Sequence, residues 1–311
     1  MTGTPPGESP SGPRALGYRL LGRRFDYLLH LRPAEWPILA VHFLTGSALA
    51  VGLMDVLTGR AGWALVAGTL AFVIGLNGGT LALNSAFDRD EGDVAYLRRP
   101  PTPPRGLALF GLGLMLAGLG VATRLPRPYL VAYALCAVLS VAYSVPPIRL
   151  KAVGGVDWIV NMAGFGLLTP FAGWAVTGHR LTLPGRILLL SFAALFGALY
   201  PLTQLYQLDE DRRRGDRTLA CLIGLDASLA LALVMAAVAF IGFILAGTMS
   251  DWVDPARWDA IIAALLAWAV VLLPWWRRRR ALSPREHQAG MHRALVAWAI
   301  TDLAVLFAWA R

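Results

Sequence analysis

The sequence predicts an all-helical integral membrane protein, because apolar runs of membrane-spanning length recur along the chain and charged residues are few. Of 311 residues, 57% are hydrophobic and 15% are charged, and the mean hydropathy is +0.57. Ordinary soluble domains do not combine these values. About nine stretches are long enough to cross ~30 Å of hydrocarbon as helices. Their approximate limits are 37–57, 62–84, 106–123, 128–145, 156–177, 187–207, 222–247, 258–275 and 291–310.

The connections between these stretches, taken in order, alternate between many basic residues and few. The rich segments contain Arg14, Arg19, Arg23, Arg24 and Arg32; Arg89, Arg98, Arg99 and Arg105; Arg149 and Lys151; Arg212 to Arg214 and Arg217; and Arg277 to Arg280, Arg285 and Arg293. The poor segments contain only Arg60, Arg124, Arg127, Arg180, Arg186 and Arg257. Because cytoplasmic loops carry the excess of Lys and Arg, the alternation supports each span in turn. It predicts a multi-pass protein of the cell inner (cytoplasmic) membrane with a cytoplasmic N-terminus.

The remaining bulk features predict one membrane domain and exclude several other classes. The net charge of +9 is explained by topology, so no nucleic-acid partner is expected. Residues 1–13 have the composition of a disordered tail, and residues 14–311 form the membrane domain. The segment 14–32 mixes apolar and basic residues, which is typical of an amphipathic surface helix or of a basic flank that only sets orientation. Cys136 and Cys221 show no spacing typical of a disulfide or thiolate metal site.

Two acidic clusters lie where the second and sixth stretches end. The first runs from Asn84 to Asp93 and contains Asp88, Asp90 and Glu91. The second runs from Gln207 to Asp216, with acids at Asp209, Glu210 and Asp211. Solvated loop starts would explain one such cluster, but carboxylates are costly at membrane depth, and two clusters on one side favour a shared cation. Mg²⁺ is usually held by one or two carboxylates together with substrate phosphate oxygens. The pattern therefore predicts a Mg²⁺-bridged phosphorylated substrate at the cytoplasmic face.

A diphosphate also requires cationic partners, and four residues are candidates. Arg149 and Lys151 follow the fourth stretch, Arg32 precedes the first, and Arg217 follows the second acidic cluster. Lys151 is the single lysine in a chain with 27 arginines. A retained ammonium suits a phosphate-binding point charge, although a chance loop lysine explains it equally well.

Three segments, taken in order, resemble the UbiA superfamily of intramembrane prenyltransferases over roughly residues 32–310. They are Asn84-xxx-Asp88 with its following acids, the stretch from Tyr143 to Lys151 (Tyr-Ser-Val-Pro-Pro-Ile-Arg-Leu-Lys), and the stretch from Asp211 to Leu219. The resemblance implies a ring of nine helices around a central cavity and a Mg²⁺-bound prenyl diphosphate at the cytoplasmic mouth. It also implies transfer of the prenyl group to a lipophilic, often aromatic, acceptor in quinone or isoprenoid-lipid biosynthesis.

Carried over by position, the resemblance assigns roles to individual residues. Asp88, Asp211 and Lys151 are expected to be catalytic. The expected metal ligands are Asn84, Asp88, Asp93, Asp209 and Asp211, with Asp90, Glu91 and Glu210 as alternatives for the later positions. The expected substrate-binding residues are Arg32, Asn84, Tyr143, Arg149, Asn161, Gln207 and Arg217. The chain departs from the family pattern at Gln207, where an aspartate is usual, and over residues 98–105, which leaves the acceptor open.

Two rival functions fit parts of the same pattern. An intramembrane terpene cyclase would use the same diphosphate site and quench the allylic cation internally. A secondary transporter could also have nine spans, but its charges are expected near the bilayer midplane rather than at helix ends. The position of the acids therefore favours the prenyltransferase, with the lipid bilayer and a prenyl diphosphate as partners.

Overall fold

Nine apolar helices are present in the part of the chain that the structure describes, as predicted, eight of them long and one short. The computed structural model describes residues 12–60, 62–88, 97, 100–215 and 217–309, and only the backbone of residues 209, 210 and 214. In chain order the spans are Pro33–Val51, Gly62–Asp88, Leu107–Ala122, Arg127–Ser144, Val156–Val176, Leu183–Gln207, Leu219–Thr248, Pro255–Ala281 and Pro284–Trp309. The predicted tail, residues 1–13, lies almost entirely outside the described residues.

The ends of the first and ninth spans differ from the predicted limits for identifiable reasons. The stretch predicted as 37–57 breaks at Gly52, whose φ of 95° is accessible mainly to glycine, and Leu53–Leu57 form a separate short helix. The ninth span begins at Pro284 instead of 291. There Glu286 Oε2 accepts hydrogen bonds from the Ser283 backbone N–H at 2.7 Å and from its hydroxyl at 2.8 Å. This Ser-x-x-Glu arrangement caps a helix start that hydropathy alone does not detect.

The segment 14–32 before the first span, for which an amphipathic surface helix and a basic flank were both predicted, does not form one continuous helix. It forms two short helices, Pro13–Leu21 and Phe25–His30, because the chain turns at Gly22 with a φ of 55°. The Tyr18 hydroxyl donates a hydrogen bond to Asp26 Oδ1 across the turn at 2.8 Å. At its C-terminal end, Leu31 packs against the start of the third span. The first helix leaves leucines exposed, as a surface-lying helix does, while the second is tied to the bundle.

Large apolar side chains cover the outside of the bundle. Leu109 is 74% exposed and Val270 is 72% exposed. Because all spans satisfy their backbone groups within helices, such surfaces are stable against lipid and unstable in water. The protein is therefore a multi-pass membrane protein.

Close backbone contact between the first and fifth spans holds one half of the bundle together. A Cβ at Gly46 would lie 1.8 Å from the Pro170 carbonyl oxygen, and a Cβ at Gly173 would lie 1.8 Å from the Phe43 carbonyl oxygen. The Ser47 hydroxyl donates to the Gly173 carbonyl at 2.7 Å. The sixth to ninth spans pack around a hydrophobic core of their own. The ninth span contacts the first span, and this contact closes the bundle.

Candidate active site

A polar cavity of about 350 Å³ opens at the end of the bundle where the second, fourth and sixth spans finish. We call this cavity the mouth. It is lined by Arg32, Tyr143, Lys151, Tyr200, Thr203, Gln204, Tyr206, Gln207, Asp211 and Thr218. Five of the residues predicted from the sequence as binding or catalytic therefore share one space, although they are spread over 180 positions of the chain.

The first acidic cluster meets the predicted cations beside the mouth. Asp88 is the last residue of the second span, and its Oδ1 pairs with Lys151 Nζ and lies 3.6 Å from Arg149 Nη2. Lys151 also lines the mouth with Asp211. The structure thus brings Asp88, Arg149 and Lys151 together and connects them to the second cluster through the side chain of Lys151.

Two of the site's arginines have a strained backbone. Arg32 has a φ of 48° and Arg149 a φ of 37°, and both fall in the left-handed region that non-glycine residues rarely adopt. Each such conformation costs about 1–3 kcal/mol, and the surroundings must hold it in place. Of the residues described, only one other non-glycine residue, Asp251, has a positive φ. Strain at these two positions is consistent with a functional constraint on where the guanidinium groups lie.

His30 lies next to Arg32 and does not add charge to this region at neutral pH. The imidazole is buried, and this burial lowers its pKa below the usual value. An uncharged His30 leaves Arg32, Arg149 and Lys151 as the cations that a bound anion would meet.

The second acidic cluster lies in a separate helix, not in a continuation of the sixth span. The α-helical part of that span ends at Gln204, a single tight turn covers Leu205–Gln207, and a new helix runs over Leu208–Arg214. Asp211 Oδ2 accepts a hydrogen bond from the Thr218 hydroxyl at 3.5 Å. Gln207 and Asp211 therefore belong to different helical segments, yet both line the same mouth.

Several expected metal ligands lie outside the described part of the chain. These are Asp90, Glu91 and Asp93 after the second span and the side chains of Asp209 and Glu210. Among the side chains that the structure describes, no group of three or more His, Cys, Asp or Glu residues could hold a metal ion by itself.

An inner cavity of about 220 Å³ lies deeper in the bundle, and Tyr143 lines both it and the mouth. Most of its wall is apolar, with Leu39, Phe72, Leu76 and Phe165 among the lining residues. It is bordered by stretches of π-helix, Ala71–Gly78 and Met162–Leu168, which interrupt the second and fifth spans. Such interruptions occur frequently at functional sites.

Two predicted residues line the inner cavity instead of the mouth. Asn84 lies on its wall, and its Oδ1 accepts a hydrogen bond from the Ser144 hydroxyl. Asn161 lies on the wall as well, and its amide donates to the Asp157 carbonyl at 2.8 Å. Arg217, by contrast, is exposed and lines neither cavity. Arg149 also lines neither cavity, but it lies 3.6 Å from Asp88, so Arg217 is the predicted substrate-binding residue that the structure does not bring to the site.

Sequence reasoning missed the residue with the most hydrogen bonds in this region, Asp157. Its carboxylate is completely buried and accepts hydrogen bonds from Gly155, Tyr200, Gln204 and Leu219. The available signal was an acid at the start of a predicted span, since a carboxylate there requires partners. Nothing in the local pattern indicates which partners those are.

The oxygen donors at the mouth fit a hard divalent cation. Asp88, Asp211, Gln207 and Thr218 offer carboxylate, amide and hydroxyl oxygens, which are the ligands that Mg²⁺ prefers. The adjacent cations, Arg32, Arg149 and Lys151, suit phosphate oxygens. Because two carboxylates alone leave most of an octahedral shell unfilled, this set fits a metal that a phosphorylated substrate helps to bind.

The sequence is similar to a known family and to characterised relatives. The profile of the UbiA prenyltransferase family matches residues 43–299. The chain is 29% identical over 285 residues to a lycopene elongase/hydratase of Haloferax volcanii, covering 83% of this chain and 91% of that protein. It is 30% identical over 257 residues to a digeranylgeranylglyceryl phosphate synthase of Methanopyrus kandleri, covering 79% of this chain and 86% of that protein.

Solved structures show the same fold. A UbiA homologue of Archaeoglobus fulgidus bound to GPP and Mg²⁺ is similar with a TM-score of 0.64 at 18% identity, covering 91% of this chain and 99% of that chain. A structure from work on digeranylgeranylglyceryl phosphate synthase in membranes is similar with a TM-score of 0.67 at 15% identity, covering 91% and 97%. At these identities the likeness concerns the fold alone.

Proposed function

Because the chain belongs to the UbiA prenyltransferase family, we propose that it transfers a prenyl group from a Mg²⁺-bound prenyl diphosphate to a lipophilic acceptor in the membrane. The observation that carries this proposal is the junction of the two cavities. A cationic, oxygen-rich mouth meets a mainly apolar inner cavity at Tyr143. A prenyl diphosphate has the same division, with a charged head and an apolar chain joined at one carbon.

The diphosphate is bound at the mouth. Arg32, Arg149 and Lys151 bind its oxygens there, and the two strained arginine backbones fix where two of these cations lie. Asp88 and Asp211 hold Mg²⁺, which when bound neutralises charge on the leaving diphosphate and so assists cleavage of the C–O bond. Lys151, already paired with Asp88, keeps a positive charge next to that metal-binding carboxylate.

The prenyl chain enters the inner cavity. Phe72, Tyr143 and Phe165 lie on its wall, and their π-faces favour a nearby positive charge. The Phe165 ring is backed by Phe196, which stacks on it with the ring centroids 5.2 Å apart. A dry aromatic wall protects an allylic cation from water until the acceptor attacks.

The acceptor is a membrane lipid. The names of two relatives concern lycopene and digeranylgeranylglyceryl phosphate, so lycopene and geranylgeranylglyceryl phosphate are the first acceptors to test, together with an aromatic quinone precursor. The mouth faces the cytoplasm in the proposed orientation, because most basic residues lie in loops on that side.

The direct test uses the purified protein in lipid nanodiscs with Mg²⁺ and, in turn, dimethylallyl, geranyl, farnesyl and geranylgeranyl diphosphate. We expect pyrophosphate release that stops when the metal is chelated, and a prenylated lipid, seen by mass spectrometry, when the acceptor is supplied. A cyclic hydrocarbon formed without acceptor would identify a terpene cyclase instead. Absence of pyrophosphate release from all four donors would contradict the proposal.

A further inference from the structure

The buried carboxylate of Asp157 lines neither the mouth nor the inner cavity. In each of its side-chain hydrogen bonds the carboxylate is the acceptor. Oδ1 accepts from the Gly155 backbone N–H at 2.8 Å. Oδ2 accepts from Gln204 Nε2 at 2.9 Å and from the Leu219 backbone N–H at 3.2 Å. These N–H groups donate and cannot accept. Both carboxylate oxygens therefore act as acceptors, and a hydroxyl group that contacts them must donate.

Two tyrosine hydroxyls extend from this carboxylate towards the cavities. The Tyr200 hydroxyl donates to Asp157 Oδ2 at 3.3 Å. The Tyr143 hydroxyl lies 3.0 Å from the Tyr200 hydroxyl. Because a tyrosine hydroxyl has a single hydrogen, Tyr200 uses it towards Asp157 and accepts one from Tyr143. The two tyrosine hydroxyls thus point their protons towards Asp157, and the Tyr143 oxygen, which also forms a hydrogen bond with the Asn161 side chain, keeps one lone pair as an acceptor.

Tyr143 lies at the junction of the two cavities, where its oxygen can accept a proton from a bound acceptor. It is a lining residue of both the mouth and the inner cavity, whereas Tyr200 lines only the mouth. A diphosphate in the mouth and a prenyl chain in the inner cavity would place the carbon that joins them near Tyr143, the residue that lines both cavities.

We propose that Tyr143, Tyr200 and Asp157 form a proton relay that removes the proton released by prenyl transfer; this inference rests on the proposed function. The C–O bond to diphosphate breaks, and the new bond to the acceptor forms. The acceptor then loses a proton to the Tyr143 oxygen, Tyr143 passes its own proton to Tyr200, and Tyr200 passes its proton to Asp157 Oδ2. Tyr143 is the catalytic residue of this step, and Tyr200 and Asp157 act through it.

Proton removal from the acceptor can proceed with a weak base, such as a tyrosine oxygen that already takes part in hydrogen bonds. A hydrogen on a carbon next to a carbocation is strongly acidic, so a weak base in the right position is sufficient. The relay is also short, since two transfers connect Tyr143 with Asp157. The proton can leave afterwards through Tyr200, which borders the open mouth.

The test does not require the natural acceptor. Without acceptor, the geranyl cation either loses a proton to the relay, giving an acyclic hydrocarbon, or is captured by water, giving an alcohol. Purified protein, Mg²⁺ and geranyl diphosphate are used, and the ratio of hydrocarbon to alcohol is measured together with total pyrophosphate release. The variants are Asp157→Asn, Tyr200→Phe, which keeps Asp157 and its N–H donors, and Tyr133→Phe as the matched control. Tyr133 is on the same span as Tyr143, but its hydroxyl donates to the Met115 carbonyl away from both cavities.

We expect the hydrocarbon-to-alcohol ratio to fall at least ~10-fold in Asp157→Asn and in Tyr200→Phe, which is less than the ~10²–10⁴-fold typical of a positioned general base because Tyr143 itself remains. Total pyrophosphate release is measured for every variant and should stay within about 2-fold in the Tyr133→Phe control; Tyr200 lines the mouth, so the product ratio and not the rate of release reports proton removal. An unchanged ratio in Tyr200→Phe, or a wild-type protein that forms only alcohol, would overturn the relay. A wild-type protein that releases no pyrophosphate from any of the four donors would overturn the proposed function instead, so the two failures are distinguishable.

Discussion

The two acidic side chains at the mouth, Asp88 and Asp211, differ in the charge of their neighbours. Asp88 pairs with Lys151 and lies 3.6 Å from Arg149, whereas Asp211 accepts from the neutral Thr218 hydroxyl. An anion entering the mouth meets the cations beside Asp88, and a cation meets one carboxylate from the second span and one from the short helix Leu208–Arg214. This arrangement suits a metal-diphosphate pair better than either ion alone.

At this scale the metal-binding carboxylates can be tested directly. We expect Asp88→Asn and Asp211→Asn each to lower pyrophosphate release at least ~10²-fold, the range for losing one electrostatic stabiliser of the transition state. The measurement is turnover of geranyl diphosphate at saturating Mg²⁺, with thermal unfolding as the check on folding. Asp55→Asn is the control, because Asp55 is 42% exposed and pairs with Arg60 away from the mouth. Near-normal turnover of either site variant would show that its carboxylate does not hold the metal.

Helices in this bundle are positioned by their smallest residues. The first and fifth spans touch through backbone atoms at Gly46 and Gly173, and each glycine meets a carbonyl oxygen of the facing helix. Small residues permit this approach in membrane helices generally. The same two spans contribute Leu39, Asn161 and Phe165 to the inner cavity, so their separation sets the width of that cavity.

The corresponding prediction concerns a single added methyl group. Gly46→Ala and Gly173→Ala should each destabilise the protein by about 1–3 kcal/mol, the usual cost of overpacking, because helix backbone must move to make room. Gly113→Ala on the third span should be neutral or stabilising, since nothing lies within 4 Å of the added Cβ. Thermal unfolding midpoints in one detergent compare the three variants. Equal midpoints for all three would show that the first and fifth spans are not in close backbone contact.

Across the whole molecule, the distribution of basic residues predicts the orientation in the bilayer. Basic residues are concentrated in the connections at the end of the bundle where the mouth opens. The positive-inside rule then predicts that the mouth faces the cytoplasm.

Cysteine labelling tests this orientation. In a Cys221→Ser background, a cysteine at Arg213 should react with a membrane-impermeant maleimide only from the cytoplasmic side. A cysteine at Arg60, which is 75% exposed, should react only from the opposite side. Cys136 is buried and should not interfere. Labelling of Arg213→Cys from outside would reverse the topology and remove the access route proposed for the substrate.

Local patterns predicted a large part of this protein. Hydropathy depends on composition within one helix, so all nine spans could be predicted, with errors only at ends that turn chemistry decides, such as Gly52 and Ser283. The motifs around Asp88, Lys151 and Asp211 led to the family, which the comparison confirmed.

The sequence by itself determined the membrane-spanning helices, their charge asymmetry and the family. Each of these depends only on residues that are close together along the chain. Only the tertiary structure decided that Asn84 borders the inner cavity, that Arg217 stays outside both cavities and that Tyr143, Tyr200 and Asp157 form a hydrogen-bonded chain. The physical reason is that such contacts join residues 43 to 57 positions apart. They form only when packing brings three spans together. The pattern of residues within one span does not predict which side chains of different spans will be in contact.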